Sequence, residues 1–325
     1  MSSVGGRYGS GNITRRVRWR LTEGGNRMGK TVFVFSGQGA QYPGMGKSLY
    51  ESSDAARAVF DMAESIRPGT IKQCFEGTKE ELSVTINTQP CVFAADLAAA
   101  AAVAEKGITP DYVAGFSLGE IAALAFAGML SYEDAFRLVC KRAEVMDKAA
   151  KENRGAMAAV MKLTPEKVEE ICAQFRQAYP VNYNSAAQTV VAAAEDEIDE
   201  LCAKVKEEKG KATKLAVSGA FHSPFMNSAS DALAEYLEGV ELREPKLPVI
   251  SNVTAQPYEG DYKALIAAQV KSPVRWQKTV ENLVEWGADS FIEVGVGKTL
   301  AGLIKRINSE VKAVNIETKE GLDAL

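Results

Sequence analysis

The chain has 325 residues, enough for one large domain with an insertion or for two domains that each bury a core. Its 38 basic and 42 acidic residues give a net charge of −4 and a pI near 5.4, which argues against nucleic-acid binding. The apolar windows are too short, or too often interrupted by charge, to span a bilayer, so no membrane segment is expected.

Residues 1–27 differ in composition from the rest of the chain. They carry six arginines against one glutamate, which leaves 32 basic and 41 acidic residues in 28–325, a distinctly acidic body. This Gly-, Ser- and Arg-rich leader lacks the apolar core of a secretory signal. It is a disordered tail, a transit-like segment or a start-site artefact. Met28, just before the first predicted strand, favours the artefact.

The cysteines give an indication of the compartment. An odd number of them, scattered without paired spacing, is typical of buried thiols in a reducing environment. We therefore expect a cytoplasmic protein with neither a disulfide framework nor a metal site. The five residues are Cys74, Cys91, Cys140, Cys172 and Cys202.

The first third of the chain alternates predicted strands and helices. A buried strand at 31–35 runs into a loop at 36–46 that contains four glycines. The loop lacks the frame of a nucleotide-binding motif, so it either brings backbone N–H groups close to a ligand or is a plain surface loop. The elements that follow are a helix at 49–65, a helix from a cap at Asn87 or Thr88 to Lys106 with Pro90 in its first turn, and a strand at 112–114.

A G-x-S-x-G motif, residues 115–119, lies between that strand and a helix predicted at 121–130. Glycines two residues before and two after Ser117 let the backbone double back, which exposes the serine hydroxyl. The next backbone N–H, that of Leu118, then lies at a helix N-terminus where it can face an oxyanion. The motif predicts a nucleophile elbow. The alternative is a turn whose serine merely caps the helix.

Two further side chains are candidates for the same chemistry. Arg142 follows on the next predicted helix, where it either meets a substrate or is solvated or paired with a neighbour such as Glu144. His222 is the only histidine and directly precedes Ser223-Pro224, a predicted helix start. A lone histidine is usually structural or exposed. If Ser117 is a nucleophile that needs a neutral nitrogen base, however, His222 is the one imidazole available.

Residues 155–218 change character and predict an inserted subdomain. Their elements follow the order β-α-β-β-α-β of a ferredoxin-like fold. On both sides of this insertion, strands alternate with helices, including strands at 248–252 and 290–294, which predicts a mainly parallel sheet covered on both faces. The predicted elements of the insertion are strands at 156–162, 181–183, 189–193 and 212–217 and helices at 164–178 and 195–209.

Several short blocks occur along the chain in an order that resembles malonyl-CoA:acyl-carrier-protein transacylases, the discrete acyltransferases of bacteria. The resemblance covers residues 31–307. It implies an α/β fold with an α/β-hydrolase-like catalytic subdomain, 28–154 and 219–325, and the ferredoxin-like subdomain inserted at 155–218. The blocks are 37–41 (GQGAQ), 88–90 (TQP), 115–120 (GFSLGE), Arg142, 182–185 (NYNS), 219–223 (GAFHS) and 293–298 (EVGVGK).

The resemblance also implies a reaction. Malonyl would pass from malonyl-CoA to the phosphopantetheine thiol of acyl carrier protein by a ping-pong mechanism through malonyl-Ser117, with His222 as the base of a Ser–His dyad. The oxyanion would lie between the backbone N–H groups of Gln38 and Leu118. Arg142 would bind the malonyl carboxylate in a two-pronged pair.

Further roles follow from the same resemblance. Gln38 and Phe221 would contact the substrate, and Phe221 would crowd an α-methyl group. A backbone carbonyl in 274–276, that of Arg275, would orient His222. Three positions depart from the family pattern: Phe116 replaces a common histidine, Val296 a proline and Arg275 a glutamine.

The family implies no cofactor or metal, and we expect a monomer that supplies fatty-acid chain elongation. Carrier proteins are acidic, so a basic rim is expected at Lys271, Arg275, Lys298, Lys305 and Arg306.

Other functions remain open at this point. A trans-acting acyltransferase for a polyketide synthase would share every motif. A serine esterase would share the elbow, but an acid would orient its base, and no acidic residue here lies in a matching motif. An inactive carrier-binding scaffold would keep the fold without the chemistry, and the retention of Ser117, His222, Arg142 and Gln38 together argues against it.

Overall fold

The computed structural model describes residues 29–325, so the predictions for residues 1–27 lie outside the described residues. Strands in this part of the chain are β1 (Lys30–Phe35), β2 (Tyr112–Gly115), β3 (Gly155–Met161), β4 (Ala178–Ser185), β5 (Gln188–Ala194), β6 (Lys211–Lys214), β7 (Val249–Ile250), β8 (Ala288–Val294) and β9 (Lys312–Ile316).

Helices occupy most of the segments between the strands, and a short 3₁₀ turn covers Pro224–Met226. The helices are α1 (Lys47–Ser52), α2 (Asp54–Ile66), α3 (Thr70–Glu76), α4 (Lys79–Ser83), α5 (Thr85–Glu105), α6 (Leu118–Phe126), α7 (Tyr132–Glu152), α8 (Pro165–Cys172), α9 (Ile198–Glu207), α10 (Asn227–Glu238), α11 (Tyr262–Gln269), α12 (Trp276–Glu285), α13 (Thr299–Ile307) and α14 (Lys319–Asp323).

The larger sheet has the order β7-β2-β1-β8-β9 and is parallel throughout. Side chains of β1 alternate between its two faces, because successive residues of a strand point in opposite directions. Phe33 and Phe35 join the larger core with the helices of one face, whereas Val32 and Val34 pack with Trp276 on the other. The predicted parallel sheet, covered on both faces, is confirmed.

The second sheet is antiparallel, with the order β4-β5-β3-β6. Together with α8 and α9 it gives the predicted ferredoxin-like arrangement, and it has its own apolar core around Val160, Ile171 and Leu201. An isolated parallel bridge joins this sheet to the larger subdomain: Tyr183 donates its N–H to the Val274 carbonyl at 2.9 Å. We keep 155–218 as the proposed extent of the inserted subdomain.

Helix α5 is long and apolar enough to cross a membrane, but 83% of its apolar window is buried inside the protein. It lies in the larger core, as the Ala-rich sequence suggests.

Several predicted helices have different bounds in the structure: the one expected at 164–178 ends at Cys172, and the one expected at 121–130 covers Leu118–Phe126. The helix expected at 49–65 is broken at Ser53, whose backbone is extended and whose hydroxyl accepts the Ala56 N–H to start α2. Helix α5 starts at Thr85 and contains Pro90. The Thr88 hydroxyl donates to the carbonyls of Leu82 and Val84 and so does not cap it. The edge strand β9 was not predicted.

The turn between β2 and α6 can pack closely against β1 because two of its residues, Gly115 and Gly119, have no side chain. A Cβ added at Gly115 would lie 1.9 Å from the carbonyl carbon of Gly119, and one added at Gly119 would lie 2.1 Å from the Phe35 oxygen. Backbone atoms on both sides leave no room for a methyl group. The two motif glycines are therefore required by the close approach of three backbone segments.

We predict that Gly119→Ala destabilises the protein by about 1–3 kcal/mol or more, because the added methyl group overlaps backbone atoms that cannot move aside. Gly302→Ala is the matched control, since a Cβ at this helical position meets nothing within 4 Å. That change should stabilise the protein by about 0.5–1 kcal/mol. Urea unfolding curves measure both effects. Equal unfolding midpoints for the two variants would contradict this explanation of the turn.

Candidate active site

Ser117 links β2 to α6 in a strained backbone conformation, with φ 54° and ψ −106°. A non-glycine residue rarely adopts a positive φ, and such strain concentrates at functional sites. The serine side chain makes no capping hydrogen bond to the helix, so the interpretation of Ser117 as a mere cap is wrong. Its Oγ lies instead 2.7 Å from Nε2 of His222.

Asn252, just beyond β7, holds the strained turn from both sides. Its Oδ1 accepts the Ser117 N–H at 2.7 Å and its Nδ2 donates to the Gly115 carbonyl at 2.6 Å. The only signal for this residue in the sequence is weak: it is a polar side chain at the end of the strand predicted at 248–252. The strand that precedes Asn252, β7, pairs with β2, and β2 leads into the turn at Ser117.

His222 is buried, and its ring is fixed at both nitrogens. Nδ1 lies 3.0 Å from the Gln269 carbonyl and 3.2 Å from the Ser272 carbonyl. Carbonyl oxygens only accept, so Nδ1 carries the proton and Nε2 is left to accept from the Ser117 hydroxyl. Burial first, and the charge of Arg142 second, lower the pKa of His222 to about 4, which keeps the ring neutral at pH 7.

The expectation that Arg275 orients His222 is wrong. The Arg275 carbonyl accepts the Thr279 N–H at 2.9 Å in the first turn of α12, and the preceding carbonyl, of Val274, is engaged in the bridge to Tyr183. Carbonyls at the end of α11 and just beyond it take this role. With carbonyls and no carboxylate on Nδ1, the site also differs from the acid-oriented triad of an esterase.

Arg142 projects from α7 into the site and is buried to 2% exposure. Its Nη2 lies 3.1 Å from Ser117 Oγ and 2.8 Å from the Gln269 side-chain oxygen, and its Nη1 donates to Gln89 at 2.7 Å. Glu144, the alternative partner, pairs with Lys141. Burial lowers the pKa of Arg142 to about 10, so the guanidinium stays charged at neutral pH.

Gln269 is a site residue that the sequence did not reveal. Its side-chain oxygen accepts from Arg142, its Nε2 donates to the Ser117 carbonyl at 2.7 Å, and its own carbonyl faces His222. One residue at the end of α11 thus contacts nucleophile, base and arginine together. Gln89 lies in the TQP block, for which no role was predicted, and its side-chain oxygen accepts a hydrogen bond from the other terminal nitrogen of the guanidinium.

The two candidate oxyanion donors come from the turns after β1 and β2. Leu118 is the first residue of α6, so its N–H has no acceptor within the helix. Gln38 lines the cavity at Ser117, and its side chain donates to Thr85 Oγ1 at 3.3 Å. The turns are in contact, because a Cβ on Gly37 would lie 2.7 Å from the Phe116 carbonyl.

A cavity of about 100 Å³ surrounds the dyad and is lined by Ser117, Arg142, His222, Phe221 and Gln38, among others. Phe221 is therefore part of the cavity wall beside His222, and its contact with the substrate stays a prediction. The cavity continues into a cleft of about 350 Å³, and residues that line both include Phe116, Asn182, Leu215 and Val217.

The positions that depart from the family pattern have definite surroundings. Phe116 forms part of the cavity wall and packs against Trp276, with ring centroids 5.6 Å apart. Val296 is buried and donates its N–H to Asp96 at 2.9 Å.

Of the five predicted rim residues, Lys305 bonds to the backbone carbonyls of Ser309 and Val311. Lys298 is exposed next to Thr299, which lines the cleft.

Comparison with known proteins gives consistent results over most of the chain. Residues 32–319 match the model of the acyl transferase domain family. The malonyl CoA-acyl carrier protein transacylase of Bacillus subtilis is 37% identical over 305 residues, which covers 91% of this chain and 96% of the relative.

Solved structures give the same result. The crystal structure of malonyl CoA-acyl carrier protein transacylase from Clostridium perfringens superposes with a TM-score of 0.87 at 34% identity, and covers 90% of this chain and 95% of that one. A type II polyketide-synthase acyl-carrier protein in complex with its malonyl-transacylase gives a TM-score of 0.87 at 33% identity, over 90% and 98% of the two chains. With a serine, histidine and arginine assembled as described, the chain belongs to the malonyl-CoA:acyl-carrier-protein transacylase family.

Proposed function

We propose that this protein transfers malonyl groups from malonyl-CoA to the phosphopantetheine thiol of an acyl carrier protein, as an [acyl-carrier-protein] S-malonyltransferase. The observation that carries the proposal is the buried guanidinium of Arg142, 3.1 Å from the Ser117 hydroxyl. In malonyl thioesters a carboxylate is separated from the reacting carbonyl by a single methylene. A cation directly beside the nucleophile suits an acid of that length.

The first half-reaction uses the dyad. His222 Nε2 accepts the Ser117 proton as Oγ attacks the thioester carbonyl, and the N–H groups of Gln38 and Leu118 stabilise the resulting oxyanion. The C–S bond then breaks, and the CoA sulfur takes the proton from His222. The carbonyls of Gln269 and Ser272, both on Nδ1, stabilise the imidazolium while it exists.

The second half-reaction reverses these steps with a different thiol. His222 accepts the proton of the carrier's phosphopantetheine thiol, and the sulfur attacks the carbonyl of malonyl-Ser117. When the ester C–O bond breaks, Ser117 Oγ recovers its proton from His222. The cleft of about 350 Å³ that leads to Ser117 is open to an extended thiol arm.

Selectivity follows from burial. With acetyl-CoA the Arg142 guanidinium would keep only its neutral partners, and a buried charge deprived of its carboxylate costs about 2–5 kcal/mol. Phe221, 7% exposed beside the base, leaves little room for an α-methyl group. One methyl group in an apolar pocket is worth about 1–3 kcal/mol. We therefore expect malonyl to be preferred over acetyl strongly and over methylmalonyl moderately.

The carrier and the setting are part of the proposal. Similarity to transacylases named only for an acyl carrier protein supports a role in fatty-acid elongation, and similarity to the polyketide-synthase complex keeps that carrier as the second candidate. We propose that Lys298 and Arg275, both exposed, belong to the rim that meets the acidic carrier. The cysteines are free thiols, which supports a reducing cytoplasmic setting, and the protein is expected to act as a monomer.

Incubation with malonyl-CoA, without carrier, should add about 86 Da, the mass of a malonyl group, to the peptide that contains Ser117. Subsequent addition of a phosphopantetheinylated acyl carrier protein should remove the adduct and move the same mass to the carrier. Mass spectrometry follows both steps, with Ser117→Ala as the control that forms no adduct. A protein that never acquires the adduct would be a scaffold, and loss of the adduct to water without transfer would indicate an esterase.

Arg142→Ala should lower the rate constant of malonyl loading by roughly 30- to 5,000-fold, because the carboxylate loses its buried partner. Acetyl loading should be spared or should increase. Arg137→Ala is the matched control, an exposed arginine on the same helix α7, and should load malonyl normally. Single-turnover rates with the two CoA esters measure the ratio. An unchanged ratio in Arg142→Ala would remove the assigned role.

The acid limb of the pH profile should reflect the low pKa of His222. The base works only when neutral, so kcat/KM for acylation should stay level as the pH falls below 6.5, the ordinary histidine value, and be halved near pH 4. Arg142→Ala, assayed with acetyl-CoA, should shift this midpoint upward, since Arg142 contributes to the low value. Brief pH jumps in single-turnover experiments avoid acid denaturation. A midpoint near 6.5 in the parent protein would contradict the ring's burial.

A further inference from the structure

Glu120 is a buried carboxylate behind the elbow, in the first turn of α6, and takes no part in the proposed transfer. It is 0% exposed. The Tyr258 hydroxyl donates to its Oε1, and the Asn252 N–H donates to its Oε2 at 2.8 Å. Both donors are neutral, and within residues 29–325 no cation contacts the carboxylate.

Arg142 is in the complementary situation. In the described part of the chain its hydrogen-bond partners, Gln89, Gln269 and Ser117, are all neutral, and its Nε is buried with no partner. The carboxylate whose charge acts on it is Glu120. The Gln269 side chain contacts Arg142 and also stabilises the ionised form of Glu120, so it links the two charges. The described residues of the site thus include one guanidinium and one carboxylate, and the Gln269 amide acts on both of them.

A bound malonyl carboxylate would add a second negative charge to this pair of opposite charges. Two carboxylate charges would then act on one buried guanidinium, and like charges in a buried site resist joint ionisation, so that one of the acids is forced to hold a proton. The malonyl carboxylate would contact the guanidinium directly, whereas no hydrogen bond or ion pair joins Glu120 to Arg142 among the described residues. Glu120 is therefore the acid that is neutralised.

We propose that Glu120 takes up a proton from solvent when the malonyl carboxylate binds to Arg142, so that the buried pocket keeps one net negative partner for its arginine. The inference rests on the proposed function, because it needs a substrate acid at Arg142. Protonation creates one O–H bond on Glu120 and no other bond changes. The new O–H group faces the Tyr258 oxygen, which accepts it, while Oε2 keeps the Asn252 N–H.

Without substrate, Glu120 already has a pKa close to neutral pH, so it can take up or release a proton there. Burial raises the pKa of Glu120 to about 7, against the opposing effects of the Tyr258 hydroxyl, the Asn252 N–H, the Gln269 side chain and the Arg142 charge. Among the described residues, these are the principal polar and charged groups that act on it from the elements packed around α6. Below pH 7 the acid is already protonated and malonyl binds without proton uptake. Above pH 7 binding must draw a proton from solution and weakens.

The test is the alkaline limb of kcat/KM, which reports groups of the free enzyme. For malonyl-CoA the value should fall with an apparent pKa near 7, about tenfold by pH 8 and further at higher pH. Acetyl-CoA, which brings no carboxylate but has the same CoA phosphates, should show no such fall. Glu120→Gln preserves a hydrogen bond to each partner and should abolish the malonyl-specific fall, so that it exceeds the parent protein at pH 8.5. Tyr258→Phe, which removes a donor that favours the ionised acid, should move the midpoint upward.

These outcomes separate the inference from the proposed function. A malonyl-Ser117 adduct in the parent protein together with identical alkaline limbs for the two CoA esters would overturn the proton uptake and leave the transfer intact. Glu120→Gln running below the parent protein by a constant factor at every pH would also overturn it, because that pattern is the mark of a purely structural acid. If Glu120→Gln does not fold, the shift in Tyr258→Phe decides.

Discussion

A guanidinium buried beside the nucleophile and denied a direct carboxylate partner is the constraint that organises this site. Removing such a charge from water costs several kcal/mol unless other groups solvate it. Two amide oxygens, of Gln89 and Gln269, supply part of that solvation, and one nitrogen, Nε, has no partner among the residues that the structure describes. The substrate's carboxylate supplies the anionic partner that the Arg142 guanidinium lacks. Affinity for malonyl-CoA and selectivity for malonyl over acetyl therefore have the same origin.

Neutral groups hold Ser117 and His222 in place, so the Arg142 guanidinium remains the dominant charge next to the nucleophile. Backbone carbonyls fix the tautomer of His222, and an asparagine side chain clamps the strained turn at Ser117. Gln269 reaches nucleophile, base and arginine at once. Had a carboxylate oriented the histidine, it would also have raised the pKa of the base and competed for Arg142. The neutral arrangement therefore suits a site that must recognise an acid.

Sequence reasoning succeeded where the physical signal is local. The strand predicted at 31–35 and the two glycines around Ser117 depend on backbone geometry that neighbouring residues determine, and both were interpreted correctly. The roles of His222 and Arg142 were predicted from the family resemblance and not from their spacing in the sequence. Asn252 and Gln269 were missed because their roles arise from contacts with residues more than 100 positions away. The wrong assignment of Arg275 has the same cause, since which of several carbonyls in 269–275 faces His222 depends on how α11 ends.

The most direct measurement of the central claim is a crystal structure of the acyl-enzyme formed with malonyl-CoA in the absence of carrier. The account predicts an ester on Ser117 Oγ whose free carboxylate lies about 2.7–2.9 Å from the guanidinium nitrogens of Arg142, as charge-assisted pairs do. A carboxylate that points into the open cleft instead, with Arg142 still bound only to Gln89 and Gln269, would contradict it.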